Sequence, residues 1–133
     1  MHEWALAEAV IVKASEVAEQ NGLASVSRVE LRIGELQAID RDSFEFGLGL
    51  LRSEYPRLTG AVFALASEPA ELRCRRCGHA WYLAESVSGL SEEDREAIHL
   101  LPEAVHLYVT CPACASPDFE VLAGRGVSLV SVS

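Results

Sequence analysis

Four cysteines stand in two pairs, Cys74-Arg75-Arg76-Cys77-Gly78 and Cys111-Pro112-Ala113-Cys114, with none left over. Each Cys-x-x-Cys pair sets two sulfurs at the tip of a tight turn, and two such tips facing one another form the tetrahedral thiolate cage that zinc prefers. A shell of four protein sulfurs is closed, whereas a catalytic zinc keeps one position open for water or substrate. The spacing therefore predicts a structural metal site, and the activity must lie elsewhere. Tetrahedral sulfur suits iron as well as zinc, so the ligands alone do not separate the two metals. The rival use of four cysteines is two disulfides, which need an oxidising compartment. The opening Met1-His2-Glu3-Trp4 has neither the basic region nor the apolar core of a secretion signal, so reduced thiols and a cytoplasmic location are expected.

The four histidines differ by position. His79 follows a knuckle whose metal already has four sulfurs, and His106 alternates with Tyr108 on an expected strand; both read as structural. His2 is different. An imidazole at the second residue, the chain's amino group and the first backbone amides can wrap one metal ion in small fused chelate rings of nitrogen donors in a plane. That geometry belongs to nickel(II) or copper(II). His2 is bulky, so Met1 is expected to survive trimming. A cation there meets the positive end of the first helix, a cost of about 0.3–1 kcal/mol that Glu3 and Glu8 can offset. The alternative for His2 is an exposed residue with no ligand role. His99 is expected just after a short acidic helix and before Leu100-Leu101-Pro102, presented from a turn. If Met1, His2 and Glu3 supply three planar nitrogens, an imidazole from this segment would suit the remaining position on square-planar nickel. A buried or surface loop histidine with no ligand role is the equal alternative for His99.

Composition narrows the function class. The chain has 133 residues, 20 acidic against 11 basic, and a net charge of −9. Nucleic-acid binding is driven by Lys and Arg displacing phosphate counterions, which this charge opposes. Arg73, Arg75 and Arg76 cluster at the first knuckle, where they are expected to complement the thiolate charge. The longest apolar run, 61–66, is strand-sized, so no membrane span is expected. An enzyme built on Glu3, His99 and Glu103 is the alternative from a different class, but no nucleophile and base appear with recognisable spacing.

The elements that must position these residues can be read in order. Leu6, Val10, Ala14 and Val17, flanked by Ala7, Ile11 and Ala18, have helical spacing from His2 to Gln20, and Asn21-Gly22 closes that helix. Val29, Leu31 and Ile33 alternate with Arg28, Glu30 and Arg32 as a strand with one buried face. Asp40 or Asp42 caps a second helix bearing Phe44, Leu48 and Leu51, stopped by Pro56, and Gly60 opens a second strand. Beyond Glu68-Pro69 come short strands around the knuckles: Leu72 to Cys74, Ala80 to Leu83, Val105 to Thr110 and Phe119 to Leu122. Ser91 caps a short helix to about Ile98. After Gly124-Arg125-Gly126 the tail Val127 to Val132 is too apolar to hang free and is expected to join the first sheet.

The opening Met1-His2-Glu3-Trp4, the strand Val29-Glu30-Leu31-Arg32-Ile33-Gly34-Glu35-Leu36, both knuckles and the exit Gly124-Arg125-Gly126-Val127 together resemble the HypA/HybF family, the nickel metallochaperones of [NiFe]-hydrogenase maturation. The resemblance spans the chain. It implies an α+β fold: a nickel-binding domain of two helices on a three-stranded sheet, residues 1–68 plus 124–133, and an inserted zinc-ribbon domain, 69–123, whose long insertion covers about 85–104. It implies Ni(II) as cargo at His2, with Glu3 contributing to or supporting that site, and structural Zn(II) on Cys74, Cys77, Cys111 and Cys114. It further implies a HypB-type GTPase partner and delivery to the hydrogenase large subunit, and relatives insert nickel into urease. A monomer and a strand-swapped homodimer both fit. Ala115 stands where the second knuckle of the family usually has Gly, and the interval 78–110 looks like the long-insertion, archaeal-type version.

Overall fold

The computed structural model describes residues 2–37 and 39–133, with His2 described by its backbone alone. The first helix, α1, spans His2–Gln20. Its buried stripe is Ala7, Val10, Ile11, Ala14 and Ala18, with Leu6 and Val17 half-buried at the border. The stripe is thus turned slightly from the expected Leu6–Val10–Ala14–Val17 line, which sets small alanines against the next helix. Gly22, at φ +70, ends α1 in a paired-bond terminus: Leu23 N–H donates to the Ala18 carbonyl at 2.8 Å and Gly22 N–H to the Glu19 carbonyl at 3.1 Å.

Strand β1, Arg28–Gly34, buries Val29, Leu31 and Ile33 and turns Arg28 and Arg32 outward, as the alternation requires. Helix α2, Arg41–Leu51, is capped by Asp40, whose carboxylate accepts from Asp42 N–H at 3.1 Å. Phe44, Gly47 and Leu48 are its buried residues. α2 packs on α1 where Gly47 meets Ala7; a Cβ at Gly47 would lie 3.3 Å from the Ala7 Cβ. Two short 3₁₀ turns, Arg52–Glu54 and Pro56–Leu58, lead to β2, Val62–Glu68.

The first sheet has the order β2-β1-β6, where β6 is Val127–Val132. Val62 N–H bonds the Ser27 carbonyl at one end and Glu35 N–H the Glu68 carbonyl at the other, which makes β1 and β2 parallel, as a crossover through α2 demands. Ser133 N–H to the Arg28 carbonyl and Gly34 N–H to the Gly126 carbonyl set β6 antiparallel on the other side of β1. The tail therefore joins the sheet as expected.

The second sheet has the order β4-β3-β5, from β3 at Glu71–Cys74, β4 at Ala80–Tyr82 and β5 at Phe119–Ala123. Between β4 and β5 the chain forms α3, Glu92–Leu100, and α4, Val105–Tyr108. Two expectations fail here. The segment Val105 to Thr110 is not a strand: Val105 and Val109 are buried at 0% and 2% exposure while Leu107 is 80% exposed, a pattern that one helical turn satisfies and strand alternation does not. His106 accordingly sits on α4. His99 is not presented from a turn but lies in the last turn of α3, because Leu101, the residue before Pro102, adopts the extended φ −137, ψ 94 only after the helix has passed His99.

Two compact units emerge: Met1–Arg32, Ile39–Ala66 and Ser128–Ser133 in one, Ile33–Ala38 and Ser67–Val127 in the other. The second has its own core, with Leu36, Leu72, Trp81, Ile98, Val105 and Phe119 packed beside Cys74 and Cys111.

Candidate metal centre

The knuckles share one backbone design. In the first, Cys74 N–H donates to the His79 carbonyl at 2.8 Å and Gly78 N–H to the Cys74 carbonyl at 3.0 Å. In the second, Cys111 N–H donates to the Ser116 carbonyl at 2.9 Å and Ala115 N–H to the Cys111 carbonyl at 2.8 Å. Both turns close through a left-handed residue, Gly78 at φ +79 and Ala115 at φ 63. Ala115 is the only non-glycine residue with positive φ among the described residues, so the second knuckle bears a strain that glycine would relieve.

These turns aim backbone N–H groups at sulfur. Arg76 N–H and Cys77 N–H lie 3.3 and 3.4 Å from Cys74 Sγ, and Ala113 N–H lies 3.4 Å from Cys111 Sγ. The two turns meet with Cys74 Sγ 3.6 Å from Cys114 Sγ and Cys77 Sγ 3.6 Å from Cys111 Sγ, and all four sulfurs fall within 4.8 Å of one another. A tetrahedral zinc with Zn–S bonds of about 2.3 Å needs S···S edges of about 3.8 Å, so the cage fits a four-coordinate metal. The donated hydrogen bonds, that from Cys77 first, bring the Cys74 thiol down to about 6 despite its burial, so it is ready to act as a thiolate at neutral pH. Cys77 is pushed up to about 11: the His79 backbone N–H favours its thiolate, but burial and the neighbouring sulfurs outweigh that bond. Cys114 is raised in the same way, against the help of the Ser116 N–H. Four crowded thiols with opposed shifts are what a bound cation would draw into one anionic set.

Two of the arginines beside the cage, Arg73 and Arg75, have their guanidinium groups paired with carboxylates. Arg73 Nε donates to Glu120 Oε1 at 3.0 Å and Arg75 to Asp118 Oδ1 at 3.1 Å. The histidines near it are ring-stacked. His79 stacks on Trp81 with centroids 5.9 Å apart, and His106 on Phe119 at 4.5 Å.

At the other candidate site, Met1 and the His2 side chain lie outside the described residues. Glu3 is anchored: its Oε1 accepts the Asp40 N–H at 2.9 Å, and that bond leads the effects that hold its carboxyl down to about 2. Sequence reasoning missed this contact, because Asp40 gives a local capping signal and nothing in the chain between them marks its backbone N–H as a partner for Glu3. His99 lines a cavity of about 210 Å³ with Glu35, Leu36, Leu83 and Arg95.

The family model described as hydrogenase/urease nickel incorporation, metallochaperone, hypA, matches residues 1–133. The chain belongs to the HypA family. The hydrogenase maturation factor HypA of Pyrococcus abyssi is 41% identical over 133 residues, covering 99% of this chain and 94% of that protein. The factor of the same name from Methanothermobacter thermautotrophicus is 33% identical over 132 residues, covering 99% and 95%. The solution structure of the Ni metallochaperone HypA from Helicobacter pylori superposes with a TM-score of 0.67, covering 98% of this chain and 94% of that one, at 22% identity, a likeness of fold. This HypA-family chain thus has the α+β architecture of its relatives and a cluster of four cysteines that could hold a metal ion. No helix among its described residues is long and apolar enough to cross a membrane.

Proposed function

We propose that this protein is a non-enzymatic nickel carrier that binds Ni(II) at its N-terminus and delivers it during maturation of [NiFe]-hydrogenase in the cytoplasm. The observation that supports this most directly is that α1 begins at His2. The first amides of a helix have no intrahelical acceptor, so one of them is open to replacement of its proton by a metal, and with the terminal amine and the His2 imidazole it gives three nitrogen donors in a plane. Glu3, anionic and tied to Asp40, offsets the positive end of α1 beside the incoming cation. Met1 supplies the amine, and His99 is proposed as a further imidazole donor because square-planar nickel has one position left.

Zn(II) on Cys74, Cys77, Cys111 and Cys114 is proposed as the resident structural metal; when bound it would offset part of the thiolate charge and lock both knuckles. The residues 1–68 and 124–133 then form the nickel-binding domain and 69–123 the zinc domain. A HypB-type GTPase and the hydrogenase large subunit are the proposed partners.

The test is nickel titration of untagged, zinc-loaded protein, with mass analysis verifying that Met1 is retained. The wild type takes up one nickel with the visible band of the square-planar ion. His2→Ala loses it, and His99→Ala weakens it and shifts the band. Unchanged affinity in His2→Ala would overturn the reading.

A further inference from the structure

Helix α3 has two different faces. One is turned inward, where Ile98 is 6% exposed in the core with Leu36 and Leu83, and Arg95 Nη2 donates to the Val87 carbonyl at 2.7 Å. The other carries Glu92, Glu93, Glu96, Ala97 and Leu100 around an open depression of about 500 Å³. Positions 93, 96, 97 and 100 form a single helical stripe, so Ala97 and Leu100 make an apolar strip edged by three carboxylates. Leu100 is 70% exposed, Leu101 after it 60%, and Leu107 on α4 80%. A single exposed leucine is ordinary, but an apolar strip rimmed by charges of one sign is the make-up of a contact surface.

The folding of α3 accounts for only part of this charge. Glu92, Glu93 and Asp94 occupy the first turn, where they complement the helix dipole, and Ser91 and Asp94 form a capping box. Glu96 lies beyond that turn, three and four residues from Glu93 and Glu92, where like charges repel. Arg95 is the one Lys or Arg between Cys77 and Arg125, and its guanidinium is held by the Val87 carbonyl. The stripe therefore has no cation of its own segment to answer it.

We propose that this stripe of α3 docks a basic segment of a partner protein, one that presents an apolar side chain between lysines or arginines. The apolar side chain would cover Ala97 and Leu100, and the cations would meet Glu92, Glu93 and Glu96. Charge selects this occupant over the others. A second copy of the chain would bring the same acidic stripe and a net charge of −9, and an anionic lipid surface would be repelled. Steering by the rim charges makes association fast and salt-sensitive, while the apolar strip holds the contact.

The test uses the full-length, zinc-loaded protein and amide chemical-shift mapping. The probes are a short synthetic helix of leucine and lysine at heptad spacing and its counterpart with glutamate for lysine. The lysine peptide is expected to shift amides of residues 91–101, with affinity falling as salt rises, and the glutamate peptide is not. Leu100→Ser is expected to weaken binding by about tenfold and the pair Glu93→Gln and Glu96→Gln by about fivefold. The control pair Glu16→Gln and Glu19→Gln makes the same charge change on α1 and is expected to stay within about twofold. All these side chains are exposed, so circular dichroism and zinc content should match the wild type. Shifts spread over other acidic surfaces, equal weakening by the control pair, or concentration-dependent shifts at 91–101 without peptide would overturn the proposal; the last would assign the stripe to self-association. Nickel titration of the same variants reads the N-terminal site separately.

Discussion

Replacing Gly34 by alanine should damage the fold more than any exposed charge reversal, because the added methyl has nowhere to go. A Cβ at Gly34 would stand 2.3 Å from both the carbonyl carbon and oxygen of Gly124 and 2.8 Å from the Arg125 nitrogen. Ordinary contact begins at 3.4 Å, so the two backbones would have to part by about 3.4 − 2.3 = 1.1 Å. Gly124 has little room to withdraw, since its own Cα faces Ala70, whose Cα and N would lie 2.5 and 2.7 Å from a Cβ there. Parting them stretches the Gly34 N–H bond to Gly126 and the Leu36 N–H bond to Gly124, now 2.8 and 2.9 Å. Two hydrogen bonds at about 1 kcal/mol each and overpacking of about 1–3 kcal/mol sum to about 3–5 kcal/mol. For a chain of this size that lowers Tm by about 10–20 °C. Thermal unfolding of zinc-loaded protein followed by circular dichroism is the assay. The control is Gly49→Ala in α2, where nothing lies within 4 Å and the change should add up to about 1 kcal/mol of stability. A Gly34→Ala protein that melts within about 2 °C of wild type would refute the close-approach argument.

Cys74→Ser or Cys114→Ser should lose the cage metal and unfold the β3–β5 unit while α1, α2 and the first sheet persist, as read by elemental analysis and amide spectra; full metal content in either variant would contradict a four-sulfur site. Ala115→Gly should relieve the left-handed strain and raise stability by about 0.5–1 kcal/mol, less than the whole strain because glycine also frees the unfolded chain. Asp40→Ala should cost about 1 kcal/mol through the lost cap of α2, yet leave the backbone N–H that holds Glu3, so nickel uptake should not change. Metal uptake by the stripped protein should fall as pH drops through about 6. A depressed thiol favours the folded, metal-ready form above its unfolded value and loses that advantage when Cys74 is protonated; a zinc titration flat from pH 5 to 8 would refute this.

Local geometry made much of this protein legible in its sequence. A Cys-x-x-Cys turn carries its own hydrogen-bond scheme, so pairing and spacing sufficed to announce the cage, while position 115 was marked as the awkward residue of the second knuckle by the resemblance to the HypA family. The alternation of Val29, Leu31 and Ile33 made a strand, and Asn21-Gly22 marked the end of α1, because those signals act over a few residues. Other features were set by contacts distant in sequence. The run from Val105 to Tyr108 alternates like a strand, but burying Val105 and Val109 together while projecting Leu107 requires a helical turn, and only the core around Phe119 imposes that choice. The anchoring of Glu3 on Asp40, the stacking of His106 on Phe119 and the contact of Gly34 with Gly124 likewise join segments with no shared local pattern. Periodicity reports which face of an element is apolar; which partner that face meets is decided only when the whole chain competes for one core.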